Sequence, residues 1–115
     1  MEYGSIDEHY LNQAVKKVEL KLNDITFDFD QFAIDMITSK SSLHRKLKSL
    51  TGLSPGEFIR SIRLKHTAMM LISNAGNISE VAFSVGFNDP KYFSKCFKIE
   101  FGITPKEYLE KNKSE

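Results

Sequence analysis

The chain has 115 residues, 41% of them hydrophobic and 27% charged, the makeup of a soluble globular domain with a modest core and little room for a large catalytic cleft. No apolar run approaches the roughly 18 residues of a membrane helix and no signal-peptide pattern opens the chain. The lone cysteine, Cys96, excludes an internal disulfide and points to a reducing compartment.

The net charge of +1 conceals an uneven distribution. Residues 1–38 carry eight acids against three bases, residues 39–98 ten bases against three acids, and residues 99–115 three bases against four acids. The central stretch therefore stands at +7 and the first at −5. A surface that meets phosphate needs positive charge only where it touches, and an acidic far side matters little beyond a Debye length of about 8 Å.

Helical signals recur along the chain, whereas no hairpin dipeptide separates two alternating runs. Tyr10, Leu11, Ala14, Val15, Val18 and Leu22 form one apolar stripe and predict a first helix from about Asp7 to Asn23. Asp28, followed three residues later by Gln31, reads as the cap of a short helix through Met36. Ser39 caps a predicted helix over Lys40–Leu50 whose inner face carries Leu43, Leu47 and Leu50. Ser54-Pro55-Gly56-Glu57 is a capping box with proline at the first helical position. It opens the longest helix, to about Ser73, with Phe58, Ile59, Ile62, Ala68, Met69, Leu71 and Ile72 available for burial. Asn77-Ile78-Ser79-Glu80 caps a short helix through Val85, and Gly86 supplies a turn residue free to adopt positive φ. Asp89-Pro90 starts a helix to about Phe101 with Phe93, Phe97 and Phe101 inward, and Thr104-Pro105-Lys106-Glu107 opens a last one. The expectation is an all-α fold of about seven helices.

A shift of 50 residues superposes Gly52-Leu53-Ser54-Pro55-Gly56-Glu57-Phe58-Ile59 on Gly102-Ile103-Thr104-Pro105-Lys106-Glu107-Tyr108-Leu109. Leu43, Arg45, Leu47 and Lys48 likewise pair with Phe93, Lys95, Phe97 and Lys98, while Ala33 pairs with Ala82 at an offset of 49. Two copies make a duplicated module, not a solenoid. Each copy is a short helix, a tight turn and a second helix, the layout of a helix-turn-helix.

The outward face of the first copy's second helix offers Lys40, Ser41, Ser42, His44, Arg45 and Lys48, and no acid occurs between Lys40 and Leu50. The second copy offers Lys91, Tyr92, Ser94, Lys95 and Lys98. Hydroxyl, imidazole, guanidinium and ammonium groups suit phosphates and base-edge acceptors. The helix from about Pro55 to Ser73 would be roughly 28 Å long at 1.5 Å per residue. Adjacent major-groove faces on one side of B-DNA recur every ~34 Å. A rod of that length could hold both second helices in consecutive grooves with some bending of the duplex.

These motifs resemble the AraC/XylS-type transcription-regulator DNA-binding domain over about residues 7–110. The most specific part runs from Ile78 to Tyr108, through Ile-Ser-Glu-Val-Ala, Val-Gly-Phe-Asn-Asp, Tyr-Phe-Ser-Lys and Phe-Gly-Ile-Thr-Pro. Phe-Ile-Arg-Ser-Ile-Arg-Leu and Asn-Asp-Pro-Lys-Tyr-Phe-Ser-Lys are similar to the output domain of Bacteroides-like hybrid two-component regulators. The resemblance implies one such domain over 1–115: a first helix-turn-helix at 7–53, a linker helix at 54–74, a second helix-turn-helix at 75–110 and a tail at 111–115.

By the same resemblance Ser41, His44 and Arg45 face bases from the first recognition helix, with Lys48 nearer phosphate. Lys91, Tyr92 and Lys95 do so from the second, with Lys98 nearer the backbone. Lys40, Ser42, Asn88 and Ser94 complete the implied DNA-binding set, and Arg63 on the linker helix is a further candidate phosphate contact. Two departures stand out: Ile37 occupies the first turn where glycine is usual, and Leu109 follows Tyr108 where arginine is common. The implied partner is double-stranded promoter DNA, with RNA polymerase a second candidate. The full-length regulator is expected to be cytoplasmic or tethered to the inner membrane, and to dimerise through a domain outside this chain.

Other chemistry finds less support. His9, His44 and His66 are widely separated and Cys96 sits among apolar neighbours, so neither a zinc site nor any cofactor is expected. No nucleophile–base order comes with a supporting motif, so no enzyme is expected. The alternative reading is a helical interaction module whose basic face meets an acidic protein or RNA polymerase.

Overall fold

The computed structural model describes residues 5–112. Among them are seven helices and no strand: α1 Ser5–Glu19, α2 Phe29–Asp35, α3 Lys40–Thr51, α4 Pro55–Ile72, α5 Ile78–Ser84, α6 Pro90–Phe101 and α7 Pro105–Asn112. The chain divides into two compact units. The first comprises the described residues up to Lys21 with Thr26–Ile62, and the second comprises Leu22–Ile25 with the described residues from Arg63 onward.

Local chemistry explains most of the boundaries. Asp28, Ser39, Asn77 and Asp89 cap α2, α3, α5 and α6 with side-chain oxygens that accept backbone N–H bonds in the first turn. The Ser54 and Thr104 boxes are equivalent. Each residue's N–H donates 2.9 Å to the glutamate three positions on, and its hydroxyl accepts that glutamate's N–H at 3.3 and 3.1 Å. Gly52 and Gly102 end α3 and α6 in the left-handed region, at φ 80° and 85°. At α2 the expected box is half made, because Gln31 Nε2 reaches forward to Asp35 Oδ1 at 2.7 Å instead of back to the cap.

The first helix stops at Glu19, short of the Asn23 that the apolar stripe suggested. The Lys21 N–H closes a three-residue turn onto the Val18 carbonyl at 3.0 Å, and Asn23 and Asp24 are poor continuers. Leu22 therefore leaves the stripe and joins the second unit.

Each unit has its own core. In the first, Ala14 and Val18 of α1 meet Phe32 and Ala33 of α2, Leu43 and Leu47 of α3, and Phe58 and Ile59 of α4. Phe32 stacks on Phe58 with centroids 6.0 Å apart. In the second, Leu64, Ala68 and Leu71 of α4 meet Val81 and Ala82 of α5 and Phe93, Cys96 and Phe97 of α6. Phe97 lies 4.5 Å from Phe101 and 5.4 Å from Tyr108, which seats α7. Each fully buried phenylalanine contributes about 1.5–3 kcal/mol of transfer free energy. The opening turns of α4 thus seal the first core and its later turns seal the second. Of the apolar residues expected to be buried on α4, Met69 and Ile72 are exposed, while Met70 packs against the second core.

Candidate nucleic-acid interface

The two turns that aim α3 and α6 share one hydrogen-bond pattern. In the first, the Ile37 N–H donates to the Ile34 carbonyl at 3.0 Å and the Thr38 N–H to the Ala33 carbonyl at 3.1 Å. In the second, the Gly86 N–H donates to the Phe83 carbonyl at 3.1 Å and the Phe87 N–H to the Ala82 carbonyl at 3.0 Å. This is a Schellman end, which requires one left-handed residue. Gly86 takes that position at φ 94° and Ile37 takes it at φ 56°. Ala33 and Ala82 are buried beneath these turns, so a small side chain there lets the second helix approach the first.

With Leu43 and Leu47 fully buried, α3 turns Lys40, Ser41, His44, Arg45 and Lys48 to solvent and leaves Ser42 half-buried. Arg45 Nη2 lies 3.4 Å from Ser42 Oγ, a long and weak contact. Arg45 stands between two shallow depressions. One, of about 350 Å³, is lined by Phe29, Lys40, Ser41, His44 and Arg45; the other, of about 320 Å³, includes Tyr10, Thr38, Ser42, Lys46 and Ser49. In the second unit, Phe93, Cys96 and Phe97 are buried, leaving Lys91, Tyr92, Lys95 and Lys98 exposed and Ser94 half-buried. Tyr92 leans on Phe87, ring to ring at 6.2 Å, and is still 49% exposed. Asn88 lies exposed in the turn just ahead of the Asp89 cap.

Not every base is equally available. Lys40 Nζ is 2.6 Å from Asp30 Oδ1 and lies over the Phe29 ring at 4.9 Å. Lys46 is held by Asp7 at 3.1 Å and by the Tyr10 ring. Both acids come from the acidic first stretch, so part of that negative charge is spent orienting lysines of α3. These pairings join residues ten and 39 positions apart, and helical periodicity carries no signal of them.

Arg63 is turned inward. Its Nη2 donates to the Asp24 carbonyl at 2.9 Å and its Nε is buried. Burial pulls the guanidinium below its ordinary value, and the Asp24 carboxylate acts in the opposite direction. Among the described residues no cluster of histidine, cysteine and carboxylates could hold a metal ion, and no helix is long and apolar enough to cross a membrane.

Two helix-turn-helix units, each presenting a basic second helix, define a nucleic-acid-binding class of fold. Residues 33–111 match the family described as "Helix-turn-helix domain". The chain belongs to that family, as an AraC/XylS-type DNA-binding domain of transcription regulators.

A protein of Formosa agariphila named histidine kinase P4 is 44% identical over 105 residues, which are 91% of this chain and 8% of that protein. The transcriptional activator RhaS of Mannheimia succiniciproducens is 38% identical over 105 residues, 91% of this chain and 38% of RhaS. The chain therefore spans well under half the length of these curated relatives. The DNA-binding domain of the global transcriptional factor AdpA, solved in complex with a target DNA, has the same fold. It superposes with a TM-score of 0.78 at 22% identity, over 94% of this chain and 93% of that one.

Proposed function

We propose that the domain reads a promoter sequence with α3 and α6 in successive major-groove segments, as the output module of a larger two-component regulator. The observation that carries this reading is the duplicated basic face, Ser41, His44, Arg45 and Lys48 repeated 50 residues on as Lys91, Ser94, Lys95 and Lys98, all exposed but the half-buried Ser94. Arg45 and Lys95 reach base edges, where guanidinium and ammonium groups suit guanine O6 and N7. Ser41, His44, Lys91 and Tyr92 face bases beside them, Lys48 and Lys98 contact phosphate, and Ser42, Asn88 and Ser94 contribute hydrogen bonds that fix register. Lys40 joins them once the duplex displaces Asp30.

The kinase name of the Formosa relative supports a signalling context, and the activator name of RhaS supports transcriptional output. Catalysis belongs outside this chain. RNA polymerase contact, dimerisation through another domain and a cytoplasmic location for this domain belong to the same reading. Inserting five base pairs between the two halves of a selected operator tests the arrangement. Rotating one half-site by about half a turn should abolish tight binding, whereas unchanged affinity would refute two-groove reading.

A further inference from the structure

We propose that Arg63 is a positioning residue for the second recognition helix, a floor beneath the α5–α6 turn that makes no phosphate contact of its own. The proposal rests on the DNA-reading assignment above, and everything it invokes lies within the second unit. Gly86 is buried, and a Cβ built on it would stand 2.9 Å from Arg63 Cζ and 2.7 Å from the Leu22 carbonyl oxygen. Glycine is thus needed there for space as well as for its φ of 94°.

The guanidinium lies against the turn, its Cζ and Nη2 2.9 and 3.1 Å from that Cβ position. The same Nη2 donates to the Asp24 carbonyl at 2.9 Å and fastens the Leu22–Ile25 segment beside the turn. The next residue, Phe87, carries the constraint forward. It is buried, with its ring 5.2 Å from Phe93 and 6.2 Å from Tyr92, the second and third positions after Pro90 in α6. A flat, rigid cation that fills the space under a glycine and bonds a carbonyl is a role for arginine. Lysine, a point charge on a flexible stem, cannot cover the turn and reach Asp24 together.

The first unit supplies a contrast. Ile37 occupies the equivalent turn and is 92% exposed, so nothing comparable covers it. Arg63 therefore acts on α6 and leaves α3 alone.

The test compares wild type, Arg63→Ala and Arg63→Lys by amide hydrogen exchange on the free protein, and by anisotropy titration against a selected operator. Two further duplexes carry one or the other half scrambled, and titrations are run at several salt concentrations. The expected result is faster exchange at Gly86, Phe87 and the first turn of α6, with α3 unchanged. Discrimination against the duplex with the second half scrambled should fall at least tenfold, while discrimination at the first half and the salt slope are kept. Arg63→Lys should behave like Arg63→Ala. A salt slope reduced by about one, with lysine restoring binding, would show a phosphate contact and overturn the proposal. Equal loss of protection in α3 and α6 would reduce Arg63 to a general stabiliser and overturn it as well. Should Arg63→Ala not fold, Arg63→Lys provides both readouts. A wild type without site preference would sink the DNA reading itself, while the exchange experiment would still decide the clamp.

Discussion

Replacing Ile37 with glycine should stabilise the protein. A β-branched side chain at φ 56° is held where Cβ crowds the following carbonyl, a cost of roughly 1–2 kcal/mol for an L-residue. The side chain recovers little of that cost, because it is 92% exposed and so withdraws almost no apolar area from water. Glycine relieves the strain but enlarges the freedom of the unfolded chain, at about 0.5–1 kcal/mol. The balance is a gain of about 0.5–1 kcal/mol, which for a domain of this size raises the melting midpoint by roughly 2–6 °C. Urea denaturation should show a higher midpoint with an unchanged slope, the mark of altered stability without altered compactness. The mirror substitution, Gly86→Ala, should destabilise, since the new methyl meets the Leu22 carbonyl oxygen, a backbone atom. An Ile37→Gly variant that melts at or below the wild-type temperature would refute the strain argument.

Truncating Arg45 or Lys95 to alanine should weaken binding to a selected operator by ~1–3 kcal/mol and relax preference at one base position each, read by competition titration. Phe93→Ala should cost about 3–5 kcal/mol by denaturant unfolding, because a fully buried ring leaves a cavity between α5 and α6. Glu57 and Glu107 have carboxyls held below the ordinary glutamate range, chiefly by the backbone N–H groups of Ser54 and Thr104 and then by their hydroxyls. A depressed folded value means the contribution is present above the unfolded glutamate value of about 4.3 and is lost as pH falls through the folded one. A Glu57→Gln, Glu107→Gln double variant should therefore melt below the wild type at neutral pH, show a flatter decline of melting temperature across that acidic window, and converge with the wild type at low pH.

Much of this fold was readable because its punctuation is local. Caps at Asp28, Ser39, Asn77 and Asp89 and the boxes at Ser54 and Thr104 lie within four residues of the ends they set, so sequence alone located those starts. The 50-residue repeat pointed to two equivalent turns, and their hydrogen bonds coincide in the structure. Long-range events were not readable. The apolar pattern carried α1 through Leu22, whereas the chain turns after Glu19 and Leu22 serves the second unit. Lys40 stood among the outward cations of α3, yet Asp30 holds it, and the pairing of Lys46 with Asp7 had no local signal either. Arg63 carried the sequence signature of a surface base, and only packing against Gly86 and Asp24 turns it inward.

The central claim is that the domain distinguishes one duplex sequence from others. Selecting preferred sites from a random DNA pool, then titrating the domain against the winning duplex and its scrambled counterpart at two salt concentrations, tests it most directly. The account predicts a preference on the order of 10³-fold or more that persists at the higher salt while absolute affinity falls. Equal affinity for both duplexes, erased together by salt, would contradict it.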